Sequence, residues 1–214
     1  MKINETTIIE IVLFRTNEGV NREEFNAEMK QWDGFLAQQK GFISREIAVS
    51  ADGQYADITC WADLEAPKSA GEKADQNPKI SALFDSNVKK IDPSTLSDEF
   101  FEVPNEHLPK TDKANLIEIL RFKTKEGVNS KDLKAEMTKY RDFLLTNGEQ
   151  VGFVSGQTGV SADGKYLNIS YWCADLQSNE PATSEMEKFF SSINEKIDEK
   201  TLSDEFFEII SSTK

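Results

Sequence analysis

The chain of 214 residues is 38% hydrophobic and 29% charged, and its formal net charge is −13 at pH 7. This is the composition of a soluble globular protein, and its negative field repels phosphate backbones and anionic lipid, which argues against nucleic-acid and membrane partners. No apolar run approaches the roughly 18–20 residues of a membrane span, and the first residues lack the apolar core of a secretory signal, so we expect a cytoplasmic protein.

Two similar runs of branched and aromatic residues, Ile9–Thr16 and Ile117–Thr124, predict the first strand of each half of the chain. Each is followed by Glu-Gly-Val-Asn, which breaks the strand and supplies an asparagine helix cap. The next segment has an apolar stripe at helical spacing in both halves: Phe25, Met29, Trp32 and Leu36, then Leu133, Met137, Tyr140 and Leu144. Such a stripe predicts a helix that faces the core.

A hairpin turn and the strand after it form the most strongly repeated stretch. Ser50–Gly53 and Ser161–Gly164 both read Ser-Ala-Asp-Gly, and Asp-Gly between β-rich runs predicts a tight turn because glycine readily takes a positive φ. Every second residue of the following strand is aromatic or polar: Tyr55, Asp57, Thr59 and Trp61, and in the second half Tyr166, Asn168, Ser170 and Trp172. A polar and aromatic face on a buried strand predicts a ligand pocket.

The rest of each half predicts a helical region and a last strand. Pro67 suits the first turn of a helix, and Asn77-Pro78 begins another. The expected apolar face of the latter is Ile80, Leu83, Phe84, Val88 and Ile91; that of the shorter second copy is Met186, Phe189, Phe190, Ile193 and Ile197. Thr95–Glu102 recurs unchanged at Thr201–Glu208 as the predicted last strand. Two prolines and no apolar periodicity make residues 104–113 a predicted linker between repeats 1–103 and 114–214.

The element order β-α-β-β-α-β in each half predicts a four-stranded antiparallel sheet with its helices on one face. We therefore expect an α+β fold of two ferredoxin-like repeats, in which the first and third strands are neighbours. Glu10 then lies across from Tyr55–Trp61, and Glu118 across from Tyr166–Trp172. The helix-free faces must also be covered, so the two repeats are expected to close one pseudo-dimeric barrel and the chain to be a monomer.

The sequence predicts no metal site and no cofactor. Cys60 and Cys173 are the only cysteines, and buried thiols that act as small hydrophobes are the favoured interpretation. His107, the only histidine, lies in the predicted linker, which argues against Ser-His triads, His-ligated haem and His-bound zinc. No glycine-rich phosphate loop for a nucleotide cofactor is present.

The pattern resembles the dimeric α/β-barrel superfamily, and within it the antibiotic biosynthesis monooxygenase-like (ABM) domains, here as a tandem repeat. The resemblance depends on these residues of the first half: Glu10–Phe14, Glu18–Val20, Gly41-Phe42, Arg45-Glu46, Asp52-Gly53, Trp61, and Ala70 through Asn77-Pro78 to Phe84. The second half matches at Glu118–Phe122, Glu126–Val128, Gly152-Phe153, Asp163-Gly164 and Trp172, but has Gly156 in place of Arg45. Haem-degrading relatives use a histidine on the helix after the tryptophan, which Ala66–Asp75 lacks, so the resemblance does not imply haem degradation.

The resemblance implies a pocket between sheet and helices in each half. One would be lined by Glu10, Phe14, Tyr55, Asp57, Thr59 and Trp61, and the other by Glu118, Phe122, Tyr166, Asn168, Ser170 and Trp172. Glu10 and Asp57 are the candidate catalytic residues, since two buried carboxylates on adjacent strands can raise one pKa to that of a general base. We expect the first pocket to be the functional one, because Asn168 replaces Asp57 in the second. The alternatives are structural glutamates and tryptophans that only pack the core.

Three functions remain open from the sequence. The first, implied by the resemblance, is a cofactor-independent monooxygenase or other oxidoreductase that acts on a small aromatic or flat apolar molecule. The second is a non-catalytic module that binds a small hydrophobic ligand. The third is a structural or stress-associated barrel with filled cavities. An open pocket bordered by Glu10 and Trp61 would favour the first two.

Overall fold

The computed structural model describes residues 6–104, 113–147, 152–174 and 184–214, the last range with side chains from residue 187 onward. The first half contains β1 (Thr6–Thr16), α1 (Arg22–Lys30), α2 (Asp33–Leu36), β2 (Phe42–Ser50), β3 (Tyr55–Trp61), α3 (Glu65–Gln76), α4 (Pro78–Val88) and β4 (Ile91–Pro104). The second contains β5 (Leu116–Phe122), α5 (Ser130–Asn147), β6 (Phe153–Val160), β7 (Tyr166–Trp172), α6 (Ser184–Asn194), a 3-10 turn (Glu199–Thr201) and β8 (Ser203–Thr213). Residues 105–112 of the predicted linker, with His107, and the side chain of Met186 lie outside the described residues.

The strand pairing confirms the predicted sheet order. β1 pairs with both β3 and β4, and β3 pairs with β2, which gives β4-β1-β3-β2 in the first half. In the second half β7 pairs with both β5 and β6. The hydrogen-bonded order of all strands is β1-β3-β2-β8-β5-β7-β6-β4 and returns to β1, so the fold is α+β with a closed antiparallel barrel.

The chain divides into two compact units, Met1–Asn105 with Phe207–Lys214, and Glu106–Phe206. The end of β8 therefore belongs to the first unit, where it pairs with β2 from Phe207 opposite Ser50 to Thr213 opposite Arg45. The predicted repeat boundaries, by contrast, placed the whole of β8 in the second repeat. The pairing supplies hydrogen-bond partners to the outer edge of β2, which would otherwise be an exposed strand edge.

The first unit buries both faces of β1 and β3. On the face away from the helices, Ile9, Ile11, Ile58 and Cys60 are fully buried. On the helix side, a cluster packs beneath α1: Phe14, Phe25, Met29, Ile47 and Tyr55. In this cluster the Phe14 and Tyr55 rings stack with centroids 5.2 Å apart.

The helix predicted through the stripe of Phe25 to Leu36 is divided into α1 and α2. Asn21 caps α1 by accepting hydrogen bonds from two backbone amides of its first turn. At the other end, the amides of Gln31 and Trp32 bond back three residues, which tightens the chain. The Met29 carbonyl, at the C-terminal end of α1, also accepts a hydrogen bond from Arg45 Nη1 at 2.9 Å. A side chain of β2 therefore provides the hydrogen-bond partner that the interrupted helix does not.

Helix α4 begins as predicted, with the Asn77 side chain as its cap and Pro78 in its first turn. Its predicted apolar face is only partly buried. Ile80 is buried, whereas Phe84 is 53% and Val88 45% exposed. Both lie beside a cavity between the sheet and the helices, which leaves their rings and methyl groups accessible.

The second unit repeats this plan with a single long helix, α5. Its predicted stripe is buried: Leu133, Met137, Tyr140 and Leu144. The Phe122 and Tyr166 rings stack at 5.4 Å as Phe14 and Tyr55 do in the first unit. Of the apolar face predicted for α6, Ile193 is buried, but Phe190 is 43% exposed.

Candidate functional site

A cavity of about 440 Å³ lies between the helices and the β4-β1-β3-β2 sheet of the first unit, and we call it the first cavity. Apolar side chains form much of its wall, among them Val12, Met29, Trp32, Phe35, Phe84 and Val88. The ionisable side chains on the wall are Glu10, Arg45, Asp57, Asp75 and Asp98. Its volume falls within the range of small-molecule sites, which is about 300–1,000 Å³.

The strand register brings the polar residues onto one face. Glu10 on β1 lies directly opposite Thr59 on β3, and Arg45 on β2 lies opposite the same threonine. Val12, two residues along β1 from Glu10, lies between Asp57 on β3 and Asp98 on β4. Residues that pair directly share a face of the sheet, and alternate residues return to it, so these groups all project toward the helices.

Glu10 is the titratable group at the centre of the first cavity. Its Oε2 accepts a hydrogen bond from Trp61 Nε1 at 2.7 Å. Burial raises the pKa of Glu10 to about 7, with smaller upward effects of Asp98 and Asp57, against the lowering effects of the Trp61 hydrogen bond and Arg45. A carboxyl group with this pKa exchanges a proton near neutral pH, which is what a general base or acid requires.

Asp57 is hydrogen-bonded to Arg45, and its charge also raises the pKa of Glu10. Arg45 Nε donates to Asp57 Oδ1 at 2.8 Å, and Nη2 donates to Oδ2 at 2.5 Å. Arg45 Nη1 donates to Asp33 Oδ1 at 2.9 Å, in addition to the Met29 carbonyl. The charge of Asp57 raises the pKa of Glu10 less than burial does, and Arg45 lowers that pKa.

A second polar chain fixes the aromatic wall of the first cavity. With its amide oriented to suit both neighbours, Asn87 accepts from Trp32 Nε1 at 3.2 Å and donates to Glu28 Oε2 at 3.0 Å. Glu28 also pairs with Lys90. The Trp32 ring contacts Phe84 edge-on, with centroids 5.8 Å apart. Trp32 is therefore held on the wall by its indole nitrogen.

A second cavity of about 230 Å³ lies in the second unit. Trp172 Nε1 donates to Glu118 Oε2 at 3.1 Å, which repeats the glutamate and tryptophan pair of the first cavity. The pKa of Glu118 is raised to about 7 by burial and by Asp204, against the lowering effects of Trp172 and Ser170. Gly156 lies opposite Ser170, as Arg45 lies opposite Thr59, so the guanidinium has no counterpart.

The structure brings most of the predicted site residues to the two cavities. Glu10, Phe14, Asp57, Thr59 and Trp61 line the first, and Glu118, Asn168, Ser170 and Trp172 line the second. Tyr55, Phe122 and Tyr166 are not among the described residues on either wall; they are buried in stacked ring pairs, although Phe14, the partner of Tyr55, does reach the first cavity. The Tyr55 hydroxyl bonds to Asn26 Oδ1 at 2.9 Å instead.

Sequence reasoning missed Asp33 and Asp98, and it treated Arg45 only as a point of resemblance. Counting back from the Ser-Ala-Asp-Gly turn places Ile47 opposite Asp57 and Arg45 opposite Thr59, as observed. That count could have identified Arg45 as a diagonal neighbour of Asp57. No sequence pattern connects Asp33 with either residue.

A closed eight-stranded barrel with helices outside the sheet is the fold of the dimeric α/β barrels. The structure of a candidate monooxygenase from Fusobacterium nucleatum matches with a TM-score of 0.77 at 9% identity, over 98% of this chain and 95% of that one. A candidate monooxygenase from Lactobacillus acidophilus NCFM matches at 0.70 with 10% identity, over 98% and 96%. An anthrone oxidase-like protein matches at 0.61 with 9% identity, over 99% and 94%. At such identities the likeness shows the fold alone.

No protein-family model matches the sequence, and no curated protein matches it. No helix within the described ranges is long and apolar enough to cross a membrane. Among those same residues, no group of three or more His, Cys, Asp or Glu side chains is placed to hold a metal ion.

The raised pKa of Glu10 predicts a stability that depends on pH. The folded protein holds the proton up to about pH 7, whereas the unfolded chain releases it near 4.5, so the free energy of unfolding should fall as pH rises through this window. In Glu10→Gln the decrease in the free energy of unfolding over this pH range should be smaller by up to roughly 3 kcal/mol, because each pKa unit corresponds to about 1.4 kcal/mol. Urea unfolding between pH 4.5 and 8 measures this pH dependence. Glu118→Gln, which changes the corresponding glutamate of the second unit, is the matched variant. A Glu10→Gln curve parallel to the wild-type curve would contradict the assignment.

Loss of the Arg45 guanidinium should strongly destabilise the first unit. Arg45→Met leaves Asp57 and Asp33 without their cation, which costs about 3 kcal/mol when a buried ion pair is broken. The double variant with Asp57→Asn should recover part of the loss. Arg15→Met is the matched control, since the Arg15 side chain is 36% exposed and that of Arg45 only 4%; it should cost under about 1 kcal/mol. Equal losses at positions 45 and 15, measured by urea unfolding, would refute the network.

Proposed function

We propose that the first cavity binds a small, flat aromatic molecule and that Glu10 takes a proton from it, in a cofactor-independent oxidation. The main support is the position of a carboxyl group with a pKa of about 7 on the wall of a largely apolar cavity. Such a group can accept a proton at neutral pH without help from a metal or a histidine. The open volume also favours this function over a barrel whose cavities are filled.

The aromatic wall suits a flat ligand. Trp32, Phe35, Phe84 and Trp61 all line the first cavity, and Phe84 is more than half exposed. Aromatic rings gain from stacked and edge-on contacts beyond the area they bury. A ligand that covered Phe84 and Val88 would remove two exposed apolar side chains from water, which adds a hydrophobic contribution to binding.

The chemistry needs only the ligand, Glu10 and dioxygen. Removal of a proton from a methylene group beside aromatic rings leaves an electron-rich carbon, and Glu10 holds the proton. Dioxygen adds to that carbon to give a hydroperoxide, which takes up the proton and then loses water to leave a carbonyl. The balance is CH₂ plus O₂ to C=O plus H₂O, so the carbon is oxidised and dioxygen is the only oxidant. An apolar wall protects the deprotonated ligand from water until dioxygen adds.

A non-catalytic ligand-binding module is the second candidate. Both cavities hold a glutamate bonded to a tryptophan Nε1, whereas only the first holds Arg45 and Asp57. The shared pair could serve as a polar anchor for a ligand in each cavity without any reaction. The two candidates differ in one observable, because only the enzyme consumes dioxygen.

Oxygen uptake with anthrone, a flat three-ring compound with an acidic methylene, tests the proposal. We expect consumption above the uncatalysed rate, lowered about 10²-fold or more by Glu10→Gln, because general-base catalysis contributes about 10²–10⁴-fold. Glu118→Gln is the matched control and should retain the activity.

Binding is followed separately through tryptophan fluorescence, with Trp61→Phe expected to weaken it more than Trp172→Phe. Anthrone that binds without oxygen uptake would identify the binding module. Equal activity of the two glutamine variants, or binding abolished by Trp172→Phe alone, would contradict the assignment to the first cavity.

A further inference from the structure

We infer that the ligand of the first cavity is a flat aromatic cation, such as a protonated nitrogen heterocycle or an aromatic ammonium compound. This inference rests on the proposed function, in that the first cavity is the ligand site, and it adds the charge of the ligand. It follows from three observations: an excess of carboxylates, an arginine with four of its five donors occupied, and a wall of aromatic rings.

The carboxylates outnumber the cations at the first cavity. Its wall includes Glu10, Asp57, Asp75 and Asp98, and among the residues that the structure describes Arg45 is the only cationic one on the wall. Asp33 adds a further carboxylate, 2.9 Å from the guanidinium of Arg45. Glu10, Asp57 and Asp33, all partly buried, outnumber the one guanidinium, and the potential in a cleft with low-dielectric walls is focused. Asp75 and Asp98 are exposed, so solvent screens more of the negative charge that they add.

Arg45 cannot offset this excess by binding an anionic ligand. A guanidinium has five N–H donors. Four hydrogen bonds already leave it: two to Asp57, one to Asp33 and one to the Met29 carbonyl. Only one donor remains, so an anion could not form two hydrogen bonds to the guanidinium without displacing an aspartate, and most of the guanidinium's donors bind the protein's own acceptors.

Lys68 and Lys90 do not change this balance. Lys68 lies on the wall of a separate shallow depression that also reaches Glu10, but it is exposed to solvent, which screens its charge. Lys90 is already paired with Glu28. Neither lysine is on the wall of the first cavity.

The aromatic wall favours the same ligand. The faces of tryptophan and phenylalanine rings attract cations through the ring quadrupole, and tryptophan is the strongest of them. Trp32 and Trp61 line the first cavity, and their positively polarised N–H groups already donate to Asn87 and Glu10. A flat cation could therefore stack on the rings while its N–H group meets the carboxylate of Glu10.

The second cavity provides an internal comparison. Among the described residues, Glu118 is the only carboxylate on its wall, and both Asp57 and Arg45 lack counterparts there, being replaced by Asn168 and Gly156. Its volume of about 230 Å³ is also roughly half that of the first cavity. A cation should therefore prefer the first cavity, and variants of the second unit should leave its binding unchanged.

Three-ring probes of matched shape test the inference in the full-length protein. They are 9-aminoacridine, a cation at neutral pH; 9-anthracenemethanol, which is neutral; and 9-anthracenecarboxylate, an anion. By calorimetric titration at about pH 7.5, the cation should bind at least about tenfold more tightly than the neutral probe, and the anion should bind most weakly. The preference should shrink in about 0.5 M salt without disappearing, since the buried charges are only partly screened.

Charge-neutralising variants of unchanged shape assign the effect to the first cavity. Asp98→Asn should weaken the cation about three- to tenfold and leave the neutral probe unaffected, because one carboxylate near the ligand is lost. Asp204→Asn is the matched control in the second unit and should change neither. Circular dichroism confirms that each variant is folded.

The outcomes separate the two proposals. Equal affinity for all three probes, or tightest binding of the anion, would overturn the cation inference and leave the proposed ligand site standing. An affinity for the cation that is unchanged by both Asp98→Asn and Glu10→Gln would also overturn it, because the cation would then be binding elsewhere on the acidic surface. Failure of every probe to bind would overturn both the inference and the ligand site.

Discussion

The hydrogen bond from Trp61 Nε1 to Glu10 Oε2 is the interaction on which the candidate site depends. A carboxylate in an apolar cavity loses its water, and without a donor that loss would make it neutral throughout the physiological range. The indole donor stabilises the charged form, while burial and the carboxylates around it oppose that effect. The result is a group balanced near neutral pH. The second unit repeats the arrangement with Trp172 and Glu118.

Arg45 determines which of the neighbouring carboxyl groups remains available for proton exchange. By binding Asp57 with two hydrogen bonds and Asp33 with a third, it confines those charges to structural roles and joins β2 and β3 to the end of α1 and the start of α2. Glu10 is left to take and release a proton. In the second unit Asn168 replaces Asp57 and Gly156 replaces Arg45. One negative and one positive charge are therefore lost together, so this pair of replacements does not change the net charge of the site.

The sequence predicted the elements whose cause is local or periodic. The hairpin turn, the alternation of Tyr55 to Trp61 and the repeat order were enough to place Glu10 across from the third strand, which the register confirms. Side-chain partners were not predictable to the same extent. Stacking on Phe14 draws Tyr55 into the core, although it shares its strand face with Trp61. Asp33 meets Arg45 only because α1 ends early and the chain turns, an event that the apolar stripe does not encode.

Direct titration of Glu10 tests the central claim, that a carboxyl group bonded to an indole N–H in the first cavity titrates near neutral pH. Carbon NMR of protein labelled at the glutamate carboxyl carbon should show a resonance that titrates near pH 7 and is absent in Glu10→Gln. Its midpoint should rise further in Trp61→Phe, because that variant loses the donor that favours the charged form. A spectrum in which Glu10 titrates near the ordinary glutamate pKa of about 4.3, with or without Trp61, would contradict the account.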